Sequence, residues 1–503
     1  HFLPVIEKAK IACQNSSHTK RNSAVRPKPA PARQGGREKE KEKNGGLSIT
    51  MADQSIPSQE QRTLMTEGNI LKILIRFAFP LFLGNLFQQM YNTVDSLVVG
   101  WFCGDNALAA VSSSGSLCFL IIGFFQGTFV GASVLISRHY GAREKNKMDA
   151  AIHTTIVFAL IAGVVLSILG VLFTPTILRW MGTPENVMPN SIAYFRVYCC
   201  GLLALVLYNT ANGIFQALGD SRHPLYYLMV AAGLNVVLDL LFVAVFDWGV
   251  AGAAFATSIG QAVSAILGFA HLMSGRFVVT VSPKRLRPDW AVMKQVLHLG
   301  LPSGVQNSVI AIANLVVQSN INAFGDNAMA GCGSYAKIEG FVFLPITCLT
   351  MAMTTFVSQN LGARKYARVR QGAKLGVGLT VCLAEVIGIL FFLLAPHLIA
   401  LFSDTPEVVA YGIRQARVES LFYFLLALSH ACAAILRGAG RTIIPMGVML
   451  AVWCVLRISY ITVMVRLIPD ITVVFTAYPV TWFLSSALFL ITLARGRWLE
   501  QHL

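Results

Sequence analysis

Residues 104–109 read Gly104-Asp105-Asn106-Ala107-Leu108-Ala109, and the phrase returns as Gly325-Asp326-Asn327-Ala328-Met329-Ala330. The same offset, 221 residues (104 to 325), lays Ser137-Arg138-His139-Tyr140-Gly141-Ala142-Arg143 over Ser358-Gln359-Asn360-Leu361-Gly362-Ala363-Arg364. It also pairs Pro175 with Pro396, Arg196 with Arg417, Gly219 with Gly440 and Pro224 with Pro445, while Pro80 meets Pro302 after one gap. The chain is therefore built twice. The repeated phrases sit in short polar breaks between apolar stretches, each long enough for a bilayer crossing of roughly 20 residues. Twelve such stretches are legible, at 73–100, 107–137, 151–174, 191–217, 225–246, 250–273, 296–322, 328–359, 374–395, 411–436, 443–467 and 472–494. Six per half gives both halves the same orientation, so the repeat is parallel, about an axis along the membrane normal. The expected fold is an all-α polytopic membrane protein with twelve transmembrane helices in two pseudo-symmetric six-helix bundles.

Composition agrees. Of 503 residues 55% are hydrophobic and 13% charged, against about a quarter charged in ordinary soluble domains. That is too little charge to coat several soluble domains, which excludes a soluble multidomain enzyme, a disordered chain and a fibrous one. The net charge of +16 lies in the tail and in alternate loops. Arg138, Arg143, Lys145 and Lys147 follow the second span, and Arg222 the fourth. Arg276, Lys284, Arg285, Arg287 and Lys294 follow the sixth; Arg364, Lys365, Arg368, Arg370 and Lys374 the eighth. Arg437 and Arg441 follow the tenth, and Arg495 and Arg497 the twelfth. The opposite loops carry Asp105, Glu185, Asp247, Asp326, Asp404, Glu407 and Asp470, with Arg179 and Arg466 as exceptions. By the bias of basic residues to cytoplasmic loops, both termini are expected in the cytoplasm of a cell whose plasma (inner) membrane holds the protein.

The expected domains are a disordered basic tail at 1–65, a first lobe at 66–273, a cytoplasmic linker at 274–295, a second lobe at 296–495 and a short cytoplasmic end at 496–503. The chain opens on His1, and Met51 and Met65 both read as candidate initiators. The tail is too polar for its burial to offset the entropy of ordering it, and it lacks the apolar core of a signal peptide. The ten cysteines are scattered, with no zinc-like spacing; they read as small buried residues, without a disulfide framework.

An aspartate at mid-bilayer costs about 2.5–3.5 kcal/mol, and most spans avoid it. The first half keeps Asp95 in its first span and Asp239 in its fifth. Counting from the outer ends places both, with Thr257 of the sixth span, roughly 8–11 Å below the outer surface. Tyr91 is one turn from Asp95 and Asn235 one turn from Asp239, so each pair shares a helix face. The reading is a polar cluster in the outer half of the first lobe that takes up a proton or ligates a small cation through oxygen. The second half has no counterpart of Asp95. Its seventh span runs Pro302-Ser303-Gly304-Val305-Gln306-Asn307-Ser308. Lys337 and Glu339 are two apart and do not face each other, Glu419 and Arg417 read as snorkelling near the outer side, and Glu385 reads equally as a structural partner or a cavity acid. Arg457 lies in the eleventh span. The coupling chemistry is therefore expected in the first lobe, and Gln88, Gln306, Asn307 and Glu385 are the polar side chains expected at a substrate cavity.

Several pieces in this order resemble the multidrug and toxic compound extrusion (MATE) family over residues 66–495. They are Pro80-Leu81-Phe82-Leu83 leading to Tyr91-Asn92-Thr93-Val94-Asp95; Gly141-Ala142; Gln216-Ala217-Leu218-Gly219-Asp220; Asn235-Val236-Val237-Leu238-Asp239; Gly249-Val250-Ala251-Gly252-Ala253-Ala254; and Gln359-Asn360-Leu361-Gly362-Ala363. Within the family the chain looks closest to the bacterial DinF-like branch. The resemblance implies cation-coupled antiport (H+ or Na+) of cationic or amphipathic drug-like compounds, by rocking of two bundles. It implies a first-lobe cation site of Tyr91, Asp95, Tyr194, Asn209, Asn235, Asp239 and Thr257, although counting places Asn209 deeper than the rest. The sodium-coupled branch uses a seventh-span glutamate, where this chain has Ser308, Val309 and Ile310; that puts a second-lobe sodium site in doubt. No cofactor, no metal beyond a coupling Na+, no nucleic acid and no enzymatic activity are expected, and the protein is expected to work as a monomer on small molecules in the bilayer. The alternatives are a lipid-linked oligosaccharide flippase of related fold, which would want basic rather than acidic cavity residues, an intramembrane enzyme, for which no metal or diphosphate motif is present, and a channel, for which no ring of pore residues is present.

Overall fold

The computed structural model describes residues 64–500 except Gly182 and Arg276; of the tail expected at 1–65, residues 1–63 lie outside the described residues. Those residues form helices α1 (Ile70–Cys103), α2 (Asp105–Gly141), α3 (Lys145–Trp180), α4 (Met188–Cys200 and Leu202–Ala217), α5 (Arg222–Val245), α6 (Gly249–Met273), α7 (Trp290–Asn322), α8 (Asp326–Gly362), α9 (Tyr366–Ala400), α10 (Pro406–Gly438), α11 (Ile443–Leu467) and α12 (Thr472–Ala494). Eleven have the length and apolarity to cross a membrane, and the two arms of α4 make the twelfth. All twelve expected spans are present. The linker is shorter than expected, because Asp289 caps α7: its carboxylate accepts the backbone N–H of Ala291 (2.9 Å) and Val292 (3.2 Å), the usual way to satisfy the free donors of a first turn.

The outer surface is inverted relative to a soluble protein. On α3, Ile161, Val164, Val165, Ile168, Leu169 and Leu172 are exposed. Their counterparts in the repeat, Val386, Ile389, Leu390 and Leu393 on α9, are exposed too. A helical stripe of exposed aliphatic residues at this spacing is a lipid-facing surface.

Two breaks also repeat. α4 bends by 48° at Gly201, where an added Cβ would lie 2.1 Å from the Ser258 hydroxyl. The corresponding turn of α10, Ser420–Phe422, tightens to a 3-10 helix. Looser π turns occupy Leu240–Val245 of α5 and Leu450–Leu456 of α11. The first begins at the residue after Asp239 and the second ends just before Arg457, as π turns do beside functional or strained positions.

The lobes meet mainly through α2 and α7. A Cβ on Gly127 would stand 2.4 Å from the backbone of Ser303 and Gly304, and one on Gly131 would stand 2.2 Å from Gly300. The absence of side chains lets the two backbones touch. At the end of the lobes that carries the basic loops, the pseudo-twofold is explicit. Gly141 packs on the Gln359 carbonyl (1.9 Å from a built Cβ), and its repeat partner Gly362 packs on the Arg138 carbonyl (2.0 Å). Hydrogen bonds close the same end: Ser358 Oγ to the Val134 carbonyl (2.7 Å), Arg138 to the Ala439 carbonyl (2.9 Å) and Gln359 Nε2 to the Ala217 carbonyl (2.9 Å).

The expected tail boundary at 65 needs correction. Met65 is buried and donates its N–H to Gln359 Oε1 (2.9 Å), while Lys365 Nζ donates to the Thr66 carbonyl (3.0 Å). Leu64 to Thr66 thus strap the first lobe to the α8–α9 turn of the second. No periodicity marks a three-residue strap, so sequence could not separate it from the tail.

Gly141→Ala puts a methyl where the Gln359 carbonyl stands. Overpacking of this kind costs about 1–3 kcal/mol, enough to shift the closed-to-open ratio of this end about tenfold. Spin labels at Asn146 and Ala367 are expected to show a longer mean distance by pulsed electron resonance.

Candidate functional site

Four helices of the first lobe bring the acids together. α1 presents Tyr91 and Asp95 one turn apart, α5 presents Asn235 and Asp239 one turn apart, α6 adds Thr257 and Gln261, and the outer arm of α4 adds Tyr194. Burial is nearly complete: Asp239 is 0% and Asp95 7% exposed. Asn235 Nδ2 donates to Thr257 Oγ1 at 3.4 Å. Gln88 and Gln261 lie within hydrogen-bonding reach of the Tyr91 hydroxyl. Tyr194 stacks on Tyr198 (6.3 Å between centroids, 14° between planes) and, like Tyr91, stands close enough to feel the charges of both aspartates, which feel each other. Between α5, α6, Tyr91 and Tyr208 lies a small cavity of about 10 Å³, bordered also by Asn235, Thr257, Gln261 and Ser264. That is about the room one water needs.

The cluster is short of donors. Asp95 Oδ1, Asn235 Oδ1 and both carboxylate oxygens of Asp239 are buried with no hydrogen-bond partner. An ionised carboxylate left this way costs several kcal/mol. Either a proton on the carboxyl or a small monovalent cation among these oxygens removes the penalty. Among the described residues no group of three or more His, Cys, Asp or Glu could hold a metal ion, so the donors are two carboxylates plus amide, hydroxyl and phenol oxygens. The amide of Asn209 donates to the Leu205 carbonyl of its own helix (2.9 Å), and like Asp95, Asp239 and Tyr194 it does not border the cavity.

Of the side chains expected at a substrate cavity, Gln88 joins the Tyr91 corner. Gln306 is buried with its Oε1 unpartnered. Asn307 is a tether between lobes, donating to the Gly123 carbonyl at 2.9 Å. Glu385 lies near the backbone of Phe424, beside the tightened turn of α10, with its Oε2 buried and unpartnered.

The second lobe holds a cluster that sequence reading missed. Glu419 does not snorkel. It is 0% exposed, with Oε1 taking a bond from Gln415 (2.9 Å) and Oε2 one from the Tyr335 hydroxyl (3.0 Å). The same hydroxyl reaches Glu339 (3.3 Å) and Tyr423 (2.9 Å). Arg457 is 1% exposed, donates to Thr481 (2.7 Å from its nearer nitrogen) and lies over the rings of Trp453 (4.9 Å) and Tyr478 (4.4 Å). Its charge acts on both glutamates. Gln415 and Glu419 are the repeat counterparts of Tyr194 and Tyr198. The signal was available: a glutamate and an arginine on two spans of one lobe call for each other.

The two clusters respond differently to truncation. Asp239→Asn removes a charge that nothing pairs, so the melting temperature in detergent is expected to hold within the shift of about 1 kcal/mol. Arg457→Met removes a fully buried guanidinium that bonds Thr481 and lies over the rings of Trp453 and Tyr478, leaving Thr481 without that partner, and is expected to lower it clearly.

The MatE family profile matches residues 80–241 and 302–463, one copy in each lobe. The "Probable multidrug resistance protein YoeA" of Bacillus subtilis (strain 168) is 30% identical over 397 residues, 77% of this chain and 86% of that protein. The "Multidrug export protein MepA" of Staphylococcus aureus (strain MW2) is 21% identical over 387 residues, 76% of this chain and 84% of that protein. A solved structure described as "Outward-facing conformation of a multidrug resistance MATE family transporter of the MOP superfamily" has a TM-score of 0.81 at 25% identity, covering 87% of this chain and 98% of that one. With a copy of the profile in each six-helix lobe and an apolar outer face, the chain belongs to the MatE family of multi-pass membrane transporters.

Proposed function

We propose that the protein is a cation-coupled antiporter that exports cationic or amphipathic drug-like compounds by alternating access, with H+ or Na+ as the coupling ion. The carrying observation is the set of unpartnered buried oxygens on Asp95, Asn235 and Asp239. A site that lacks one positive partner is a site that changes occupancy. The second lobe offers no equivalent, because Glu419 is already bonded by Gln415 and Tyr335 and sits in the field of Arg457. The printed names of the relatives, multidrug resistance and multidrug export proteins, support the substrate class.

With the basic loops on the cytoplasmic side, the closed end of the lobes is the inner one and the conformation described is outward-facing. In the cycle, a cation from outside enters the first-lobe cluster and neutralises it. The change in charge and hydrogen bonding repacks α1, α5 and α6 and lowers affinity for substrate, which leaves outward. After the lobes rock inward, the cation departs and substrate binds again. A membrane potential contributes about 2.3 kcal/mol per charge per 100 mV to such exchange. An acidic cavity suits cationic cargo and disfavours the anionic headgroup that a lipid-linked sugar would present.

Asp95→Asn is expected to abolish gradient-driven export of a fluorescent cationic dye from proteoliposomes in which pH and sodium gradients are imposed separately. Full export by that variant under both gradients would remove Asp95 from the coupling site.

A further inference from the structure

We propose that the seam between α5 and α6 is the inner proton path of the first lobe, along which Tyr227 and His271 pass a proton from the Asp95–Asp239 pair to the basic-loop face, with His223 and Asp220 setting the charge beside His271. This rests on the antiport reading above and commits the coupling ion to a proton, because an imidazole–phenol chain carries protons and not sodium.

The seam is polar at almost every turn. On α5 the fourfold spacing runs Asp239, Asn235, Ala231, Tyr227, His223; on α6 the facing positions are Thr257, Gln261, Ser264 and His271. At the outer end stand the unpartnered acids and the small cavity bordered by Asn235, Thr257, Gln261 and Ser264. Ser264 Oγ donates to the Tyr227 carbonyl at 3.0 Å, which fixes that backbone. The Tyr227 hydroxyl is hydrogen-bonded to His271 Nδ1. The His271 ring meets His223 edge-on with centroids 4.4 Å apart, and His223 Nδ1 is bonded to the Asp220 carboxylate. Phe215 packs on this group from α4 and Phe277 from the linker. The titratable and charged neighbours are therefore Asp220 in the turn, Arg222, His223, Tyr226 and Tyr227 on α5, and His271 on α6. Burial works to raise the Asp220 carboxyl, but its bonds from His223 and from the N–H groups of Arg222 and His223 outweigh that and hold it below the usual range. Its negative charge compensates a charge on His223. A second charge 4.4 Å away has no such compensation, so His271 stands as the neutral acceptor for Tyr227.

Asn235 and Thr257 stand between the acids and the cavity, which neither aspartate borders, and a second gap lies between the cavity and the phenol. Rotation of Tyr227 about its held backbone closes it. The carboxyl O–H bond breaks and leaves a carboxylate, and its proton moves to a water in the cavity. The Tyr227 oxygen takes a proton from that side as its own passes to Nδ1 of His271, and Nε2 of His271 releases one to solvent. Exchange of the ring protons restores the starting tautomer.

The test uses the full chain in proteoliposomes, with dye export driven by a pH gradient and, separately, dye-for-dye counterflow with no gradient. Tyr227→Phe and His271→Gln are expected to slow pH-driven export about tenfold and leave counterflow unchanged. Free imidazole in the buffer on the basic-loop side is expected to restore His271→Gln but not Tyr227→Phe. Unchanged export, or an equal loss in both assays, overturns the path. If Asp95→Asn still exports under both gradients, the antiport reading falls and the path with it. If Asp95→Asn is inactive while Tyr227→Phe and His271→Gln export normally, or if sodium alone drives export, the path alone falls.

Discussion

The first lobe is organised around a deficit. In a bilayer every polar group must find its partner within the protein, because no solvent supplies one. The twelve helices meet that demand for the backbone, and in the second lobe Tyr335 and Gln415 donate to Glu419 while Thr481 takes the bonds of Arg457. The Asp95–Asn235–Asp239 group does not meet it. On the proposed antiport reading, a deficit of one positive partner at a fixed place is what would make ion occupancy and lobe packing depend on each other. A fully bonded cluster has no reason to bind, and a fully solvated one gains nothing by repacking.

The repeat sharpens this contrast. Two lobes with the same helices, the same breaks near Gly201 and Phe422 and the same glycine contacts at Gly141 and Gly362 carry opposite electrostatics. The outer arm of α4 offers the phenols of Tyr194 and Tyr198 at the positions where α10 offers Gln415 and Glu419. In the second lobe Glu419 is bonded by Gln415 and Tyr335, and the Arg457 charge lies within its electrostatic reach. In the first the acids arrive without a cation. One lobe is thus built to stay as it is and the other to respond.

Most of the architecture was legible because the bilayer leaves few options. Apolar length set the number of helices, the phrase at 104–109 and its copy at 325–330 set the symmetry, and helical spacing put Tyr91 with Asp95 and Asn235 with Asp239. What escaped depended on contacts far apart in sequence. Glu419 lies near a helix end by counting, and only the packing of α8 and α10 around it shows that Tyr335 and Gln415 hold it inside. Met65 follows a polar tail, and only the α8–α9 turn shows where it docks. Gln261 was passed over as one polar residue among many on α6, although its spacing of four from Thr257 placed it on the same face.

The link between the ion cluster and the inner closure runs through α4. Its outer arm holds Tyr194 beside the aspartates, and its inner arm ends at Ala217. The Ala217 carbonyl takes bonds from Ser137 Oγ (3.0 Å) and from Gln359 Nε2 (2.9 Å), and Gln359 in turn holds the Met65 N–H. Between the arms stands the 48° bend at Gly201, packed so tightly on Ser258 of α6 that only glycine fits. A change in the hydrogen bonding of Tyr194 therefore acts on one arm of a bent lever whose other arm carries a bond across the lobes. Because packed helices switch between discrete arrangements rather than deform continuously, a small shift at the bend is enough to decide whether the Ala217–Gln359 bond is made. On the proposed antiport reading, that bond is the point at which ionic occupancy of the first-lobe cluster would become closure or opening at the basic-loop end of both lobes.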